Sequence, residues 1–272
     1  MLSNDLTTQA ASAEHLAYLQ ARKRYRWRVT AAQILLLVSF IALWELAATL
    51  RWIDPFIMSQ PSRIVQTLRS LYAGGDLFTH VGVTLLETVA GFTLGTLLGT
   101  FIAVALWWSD YLAEVFDPYL VVLNSLPKVA LGPIMIVWLG QGMRAIIAMA
   151  LLVSVIVTIL SVYSGFSQVD KNKIKLLKTF GATKKQIMQK VILPASIPTI
   201  ISALKINVGL SWVGVIVGEF LVSRAGLGYL IVYGGQVFRL DLVMASVIIL
   251  CVAAALMYQA VVLLEKRFVK WQ

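Results

Sequence analysis

Six long apolar runs constrain this chain more than any other feature. They cover Thr30–Leu50, Val81–Trp108, Val115–Leu139, Ala145–Phe166, Ala195–Val222 and Leu242–Leu264. Each can cross a hydrocarbon core ~30 Å thick, which takes about 20 residues of helix. The runs are continuously apolar rather than alternating, which argues against barrel strands. Charged residues make up only 13% of the chain, against about 25% in a soluble domain. The expected fold is therefore an all-α polytopic membrane protein of about six transmembrane helices. The third run is the least regular, because Pro118, Pro127, Gly132 and Pro133 interrupt it. The first is no cleaved signal: its apolar stretch exceeds the roughly 7–15 residues of a signal core. Residues 1–29 read as a cytosolic N-terminal tail and 30–272 as the membrane domain. Within the tail, residues 1–21 are polar and Ala-rich, suited to a frayed end or a short surface helix.

Charge sets the expected orientation. Arg22, Lys23, Arg24, Arg26 and Arg28 precede the first run, seven lysines lie in 167–194, and Lys266, Arg267 and Lys270 follow the last run. The alternate connections hold only Arg51, Arg63, Arg69, Arg144, Arg224 and Arg239. The positive-inside rule then places both termini and the 167–194 loop in the cytoplasm. Topology thus accounts for the net charge of +10. Nucleic-acid binding is a poor alternative, since no recognition motif accompanies the basic residues. Cys251 stands alone, His15 and His80 are far apart, and no metal-binding cluster is present. No G-x-x-x-x-G-K-[ST] loop occurs either, so an ATP-driven process would need its nucleotide and Mg²⁺ on another chain.

The break between the fourth and fifth runs is the most suggestive segment. Residues 167–194 read SQVDKNKIKLLKTFGATKKQIMQKVILP, with Lys171, Lys173, Lys175, Lys178, Lys184, Lys185 and Lys190. The pattern predicts two short amphipathic helices joined at Gly181. Thr183 and Gln186 have the spacing of a capping box, and Pro194 should stop the helix from simply continuing. Such a loop either presents its helices to a partner or merely holds the topology. Gly91, Gly95 and Gly99 repeat along one helix face, which lets another helix approach closely, within the chain or across a dimer. Glu45, Glu87, Lys128, Lys205 and Glu219 fall inside the apolar runs, where charge is costly. They can be structural, paired or snorkelling. Lys128 follows Asn124, Ser125 and Pro127 at a helix break, where free amides and a cation suit an anion. Asn124, Ser125, Lys128 and Glu219 are the candidate pathway residues.

The run from Gly181 to Pro194 resembles the EAA loop of ABC importer permeases: Glu-Ala-Ala, three residues, Gly, nine residues, Ile, any residue, Leu-Pro. Gly181, Leu193 and Pro194 match at that spacing. Val191 replaces the Ile, and Lys175, Leu176 and Leu177 stand where the family has Glu-Ala-Ala. The segments SLPKVALGPIMIVWLG (125–140), GEFLVSRAGLGYLI (218–231) and the closing LLEKRFVKW are similar to the sulfonate, nitrate, taurine and bicarbonate permeases of that family. Permeases for thiamine-precursor pyrimidines and riboflavin belong to the same group. The resemblance, over roughly residues 55–268, implies a MetI-like fold with a cytosolic coupling helix in a bacterial inner membrane. It implies that Lys175, Leu176, Leu177, Gly181, Ala182, Thr183, Leu193 and Pro194 engage a cytosolic ABC ATPase dimer. It also implies a permease homodimer, an extracytoplasmic substrate-binding protein, and a small anion as solute, an aliphatic sulfonate ahead of a pyrimidine- or riboflavin-like heterocycle. Secondary transport and a membrane-embedded enzyme are the competing classes. The first would show interrupted helices in both halves, and the second a catalytic constellation.

Overall fold

The computed structural model describes residues 13–268. It is helical throughout, with no strand among the described residues. The described backbone forms two compact units that divide between Arg63 and Ile64. The first unit is dominated by α1 (Ala13–Thr49), followed by the single turn α2 (Pro55–Met58) and the start of α3 (Pro61–Ala73). Helix α1 begins well before the first apolar run, so residues 13–29 are helical and continuous with the span; residues 1–12 lie outside the described residues. Asp54 opens α2 by accepting the Phe56 N–H at 2.9 Å. Glu45 Oε2 accepts the Ser62 N–H at 3.0 Å, which gives that carboxylate a structural partner.

The second unit continues with α4 (Asp76–Trp108), α5 (Asp110–Ser125), a 3-10 turn at Lys128–Leu131, α6 (Gly132–Leu139) and α7 (Met143–Ser167). The short helices α8 (Lys171–Thr179) and α9 (Lys184–Ile187) come next, then α10 (Leu193–Val222), α11 (Leu227–Gln236) and α12 (Leu240–Phe268). The core is a tight trio of α4, α7 and α10. Gly91, Gly95 and Gly99 face Ala150, Ser154 and Thr158; a Cβ on Gly91 would meet the Ala150 Cβ at 2.6 Å, and one on Gly99 the Thr158 Cβ at 2.6 Å. The glycine face is thus an intrachain contact, small residues on both sides bringing the backbones together. On the other flank of α7, Gly214 lies against the Ala150 backbone and Gly218 against Ile146. Across the trio, the Asn207 amide donates to the Thr96 hydroxyl at 2.9 Å.

These pairings fix direction. From Gly91 to Gly99 the partners on α7 advance from Ala150 to Thr158, so α4 and α7 run parallel. From Gly214 to Gly218 the partners retreat from Ala150 to Ile146, so α10 is antiparallel to α7. The third apolar run is broken: α5 and the segment Lys128–Leu139 meet at 88°. By shape alone that corner suits a bent span or a re-entrant loop. Two parallel helices joined by it exclude the re-entrant reading, because the connection must carry the chain back across the full thickness. The described residues thus hold six spans, five single helices and one bent pair. The expectation of one helix over Val115–Leu139 is corrected. Pro127 lacks an N–H and disfavours a helical Leu126, and Leu126 is extended at φ −69°, ψ 136°.

Helix α10 also differs from expectation at its start. The helical run from Lys184 to Val222 is unbroken. Pro194 does not end the preceding helix. A π-helical turn at Met188–Ile192 absorbs it, with the Leu193 N–H reaching back to the Met188 carbonyl. Wider turns of this kind are rare and occur mostly as single-turn bulges inside α-helices.

Candidate functional site: the coupling loop

The 168–192 loop is built from its caps inward. The Asp170 carboxylate accepts the Asn172 N–H at 2.8 Å and opens α8. Helix α8 closes in a Schellman motif: Gly181 N–H donates to the Lys178 carbonyl and Ala182 N–H to the Leu177 carbonyl, both at 3.0 Å. Gly181 carries φ +74°, which only glycine adopts without a Cβ penalty. Thr183 then opens α9 with the expected capping box. Gln186 N–H donates to Thr183 Oγ1 at 3.3 Å, and Thr183 N–H donates to Gln186 Oε1 at 2.8 Å. Orphan amides and carbonyls at the turn therefore find partners within the loop.

Packing orients it. Ile174, Leu177, Ala182 and Ile187 face a core made by Ala103 of α4, Val162 and Phe166 of α7, and Ile192. On the opposite side, Leu176 is 58% exposed and Phe180 is 79% exposed. These two are one helical turn apart, so α8 presents an apolar ridge outward. Lys175, Lys178, Thr183 and Pro194 are also exposed, while Leu177 and Leu193 are half-buried. The two short helices were legible in the sequence. Leu176 is among the coupling candidates named from the sequence, whereas its outward companion Phe180 was missed, although the spacing was available. Because α9 runs without a break into α10, a displacement of the loop is a displacement of a membrane helix.

The candidate pathway residues do not form one group. Asn124 and Ser125 are exposed at the end of α5. Lys128 Nζ donates to the Asn124 carbonyl at 3.1 Å, so its cation caps the carbonyl end of that helix. Glu219 is elsewhere and enclosed, 1% exposed. Its Oε1 accepts the Thr84 hydroxyl at 2.6 Å and its Oε2 accepts the Gly228 N–H at 2.5 Å. Thr84 Oγ1 in turn accepts the Leu227 N–H at 2.8 Å, and His80 Nδ1 accepts the Gly226 N–H at 2.9 Å. Three consecutive orphan amides at the start of α11 are thereby satisfied by α4 and α10. Glu219 is a latch inside one chain rather than a group lining an open passage. The sequence signal was the Gly226-x-Gly228 pair just beyond it: a Cβ at Gly226 would come within 2.5 Å of its carboxyl carbon. Lys205, placed within a span, pairs with Glu265 at 2.7 Å.

Residues 95–270 match the binding-protein-dependent transport system inner membrane component family. The chain belongs to that family, the permease component of ABC importers. It is 30% identical over 261 residues to the putative aliphatic sulfonates transport permease protein SsuC of Bacillus subtilis, covering 96% of this chain and 94% of the relative. It is 28% identical over 239 residues to the formylaminopyrimidine transport permease protein ThiX of Halalkalibacterium halodurans, covering 88% of this chain and 94% of that one. The fold is similar to a chain from a bacterial ABC transporter involved in the import of the acidic polysaccharide alginate. That match has a TM-score of 0.65 at 15% identity and covers 93% of this chain and 100% of that one.

Proposed function

We propose that this chain is one half of the membrane pathway of an ATP-driven importer for a small organic anion, with an aliphatic sulfonate as the solute. The observation that carries the reading is the coupling loop: doubly capped, seated on the ends of α4 and α7, apolar on its outer face and continuous with α10. Its outer ridge docks into a cytosolic ATPase subunit, and ATP with Mg²⁺ belongs to that separate chain. Closure of the ATPase dimer pushes α8 and α9, and α10 carries the motion into the bundle. The bundle then exchanges inward-open and outward-open states as a two-state element. A second copy of the chain completes the pathway, and a binding protein delivers solute from outside. Asn124, Ser125 and Lys128, beside the bent span, are the polar groups we assign to meeting the anion. Both termini lie in the cytoplasm of a bacterial inner-membrane protein.

The sulfonate rests on the relative at 30% identity. The formylaminopyrimidine permease at 28% supports a second reading, an aromatic heterocycle. Uptake into proteoliposomes holding the permease, its ATPase and its binding protein discriminates the two, with an alkanesulfonate and a formylaminopyrimidine as competing solutes.

The coupling role has its own test. Gly181→Val places a β-branched residue at a positive φ and should misplace α9 while leaving the spans inserted. The expected result is a stable permease that loses ATPase pull-down, or keeps it without solute-stimulated hydrolysis. Thr183→Ala removes an N-cap worth about 1 kcal/mol and should weaken both only partly. Wild-type pull-down and stimulation in Gly181→Val would show that this loop is not the coupling element.

A further inference from the structure

Behind the outward ridge of the coupling loop, on the side facing the bundle, lies a cleft of about 450 Å³. Its chemistry differs from both the core and the docking ridge. Lys171 and Lys178 reach it from α8, on the same face as Ile174, and Lys184 reaches it from the start of α9. The walls are aromatic: Trp107 at the end of α4, with Phe166 from α7. Lys184 Nζ stands 5.6 Å from the centre of the Trp107 ring, within cation–π range. One acidic side chain, Asp110, opposes the three cations. The ion pairs among the described residues join Lys205 to Glu265 and Arg239 to Asp241, and involve none of these four. Three exposed lysines lining a concave, aromatic-walled site leave a net positive charge that no ion pair among the described residues neutralises.

We propose that this cleft binds a phosphate-bearing anion, with the headgroup of an anionic phospholipid as the chemistry that fits best. Three observations favour a lipid. The cleft lies where membrane helices α4 and α7 end, Trp is enriched at that depth, and basic pockets between spans on the cytoplasmic side suit anionic headgroups. A soluble phosphate would satisfy the same ammonium groups, so the test separates the two sources. The consequence is that α8 and α9 are fastened to the membrane face by a ligand on one side and offered to a partner on the other. Occupancy of the cleft would hold the coupling loop in its seat. The site does not depend on the transported solute and stands or falls without any transport assay.

The experiment uses the purified full-length chain in detergent. Native mass spectrometry counts bound phosphatidylglycerol against phosphatidylcholine, and a thermal-shift series adds inorganic phosphate to lipid-free protein. Wild type should retain phosphatidylglycerol at least tenfold over phosphatidylcholine. Each of Lys171→Gln, Lys178→Gln and Lys184→Gln should weaken that retention about fivefold, as expected for roughly one unit of surface electrostatic attraction per cation. Lys184→Arg should keep it, and Asp110→Asn should strengthen it, an effect that a purely structural lysine cluster would not produce. Stabilisation by inorganic phosphate, abolished by the same substitutions and without a lipid preference, would assign the cleft to a soluble phosphate. Equal retention of both lipids together with no response to phosphate overturns the proposal, as does phosphatidylglycerol retention unchanged in all three Lys→Gln variants.

Discussion

Two glycines show how one residue type solves different problems. Gly181 and Gly226 both carry positive φ, +74° and +121°. A Cβ on Gly181 would meet nothing within 4 Å, whereas one on Gly226 would collide with the Glu219 carboxyl group. Gly181→Ala should therefore cost only the left-handed penalty of about 1–2 kcal/mol. Gly226→Ala adds overpacking of about 1–3 kcal/mol and disturbs the amides held by Glu219 and His80. Thermal melting of the purified variants should show Gly226→Ala several degrees below Gly181→Ala. Equal melting would mean that the latch at Glu219 is loose. Gly181 was legible because its neighbours match a spaced motif. The partners of Glu219 were not legible, because a carboxylate inside an apolar run looks the same whether it meets a solute or the end of another helix. Only tertiary packing brings Thr84 and Gly228 to it.

Helices in this chain are held by backbone proximity more than by side-chain interlock. The face Gly91, Gly95, Gly99 leaves no room for side chains opposite Ala150, Ser154 and Thr158. A Cβ at Gly95 would overlap the Ser154 side chain, whose buried hydroxyl has no hydrogen-bond partner. Gly95→Ala should destabilise the fold by about 1–3 kcal/mol, and Ser154→Gly in the same molecule should restore part of that loss. The pair forms a double-mutant cycle with a coupling term. Additive melting shifts would show that the two helices are not in contact there. The periodicity of the glycines was visible in the sequence, but their partner was not, since three small residues on α7 are unremarkable among its apolar neighbours. The corner at Leu126–Pro127 and the passage through Pro194 show the same limit. Proline marks both positions equally, and whether it turns the chain or is absorbed depends on the residues before it: Leu126 is extended ahead of Pro127, whereas a π turn precedes Pro194. Directly after Pro127 the chain enters a 3-10 turn, whereas Pro194 opens a long membrane helix.

For the whole molecule, the parallel course of α4 and α7 turns a hydropathy reading into a topology. Cysteines placed at Asp76 and Thr183, in a Cys251→Ala background, should be labelled by an impermeant reagent from opposite sides of the membrane. Both positions are exposed. Labelling of both from one side would overturn the six-span arrangement with cytosolic termini. The π turn at Met188–Ile192 has a consequence for how such a molecule can change over time. A π turn holds one residue more than the α-helix around it needs. Deleting a single residue there would restore regular helix and preserve the hydrogen-bond ladder. That deletion would leave the loop close to its present orientation, because the π turn takes up its extra residue locally. Deleting a residue from the regular part of α10 would instead swing everything before it by about 100° around the helix axis, since an α-helix takes about 3.6 residues per turn. Ile187 would then leave its seat, and the outward ridge of Leu176 and Phe180 would point elsewhere. The π turn is therefore a place where this segment can lose a residue without turning the loop, a tolerance that the regular helix beyond it does not share.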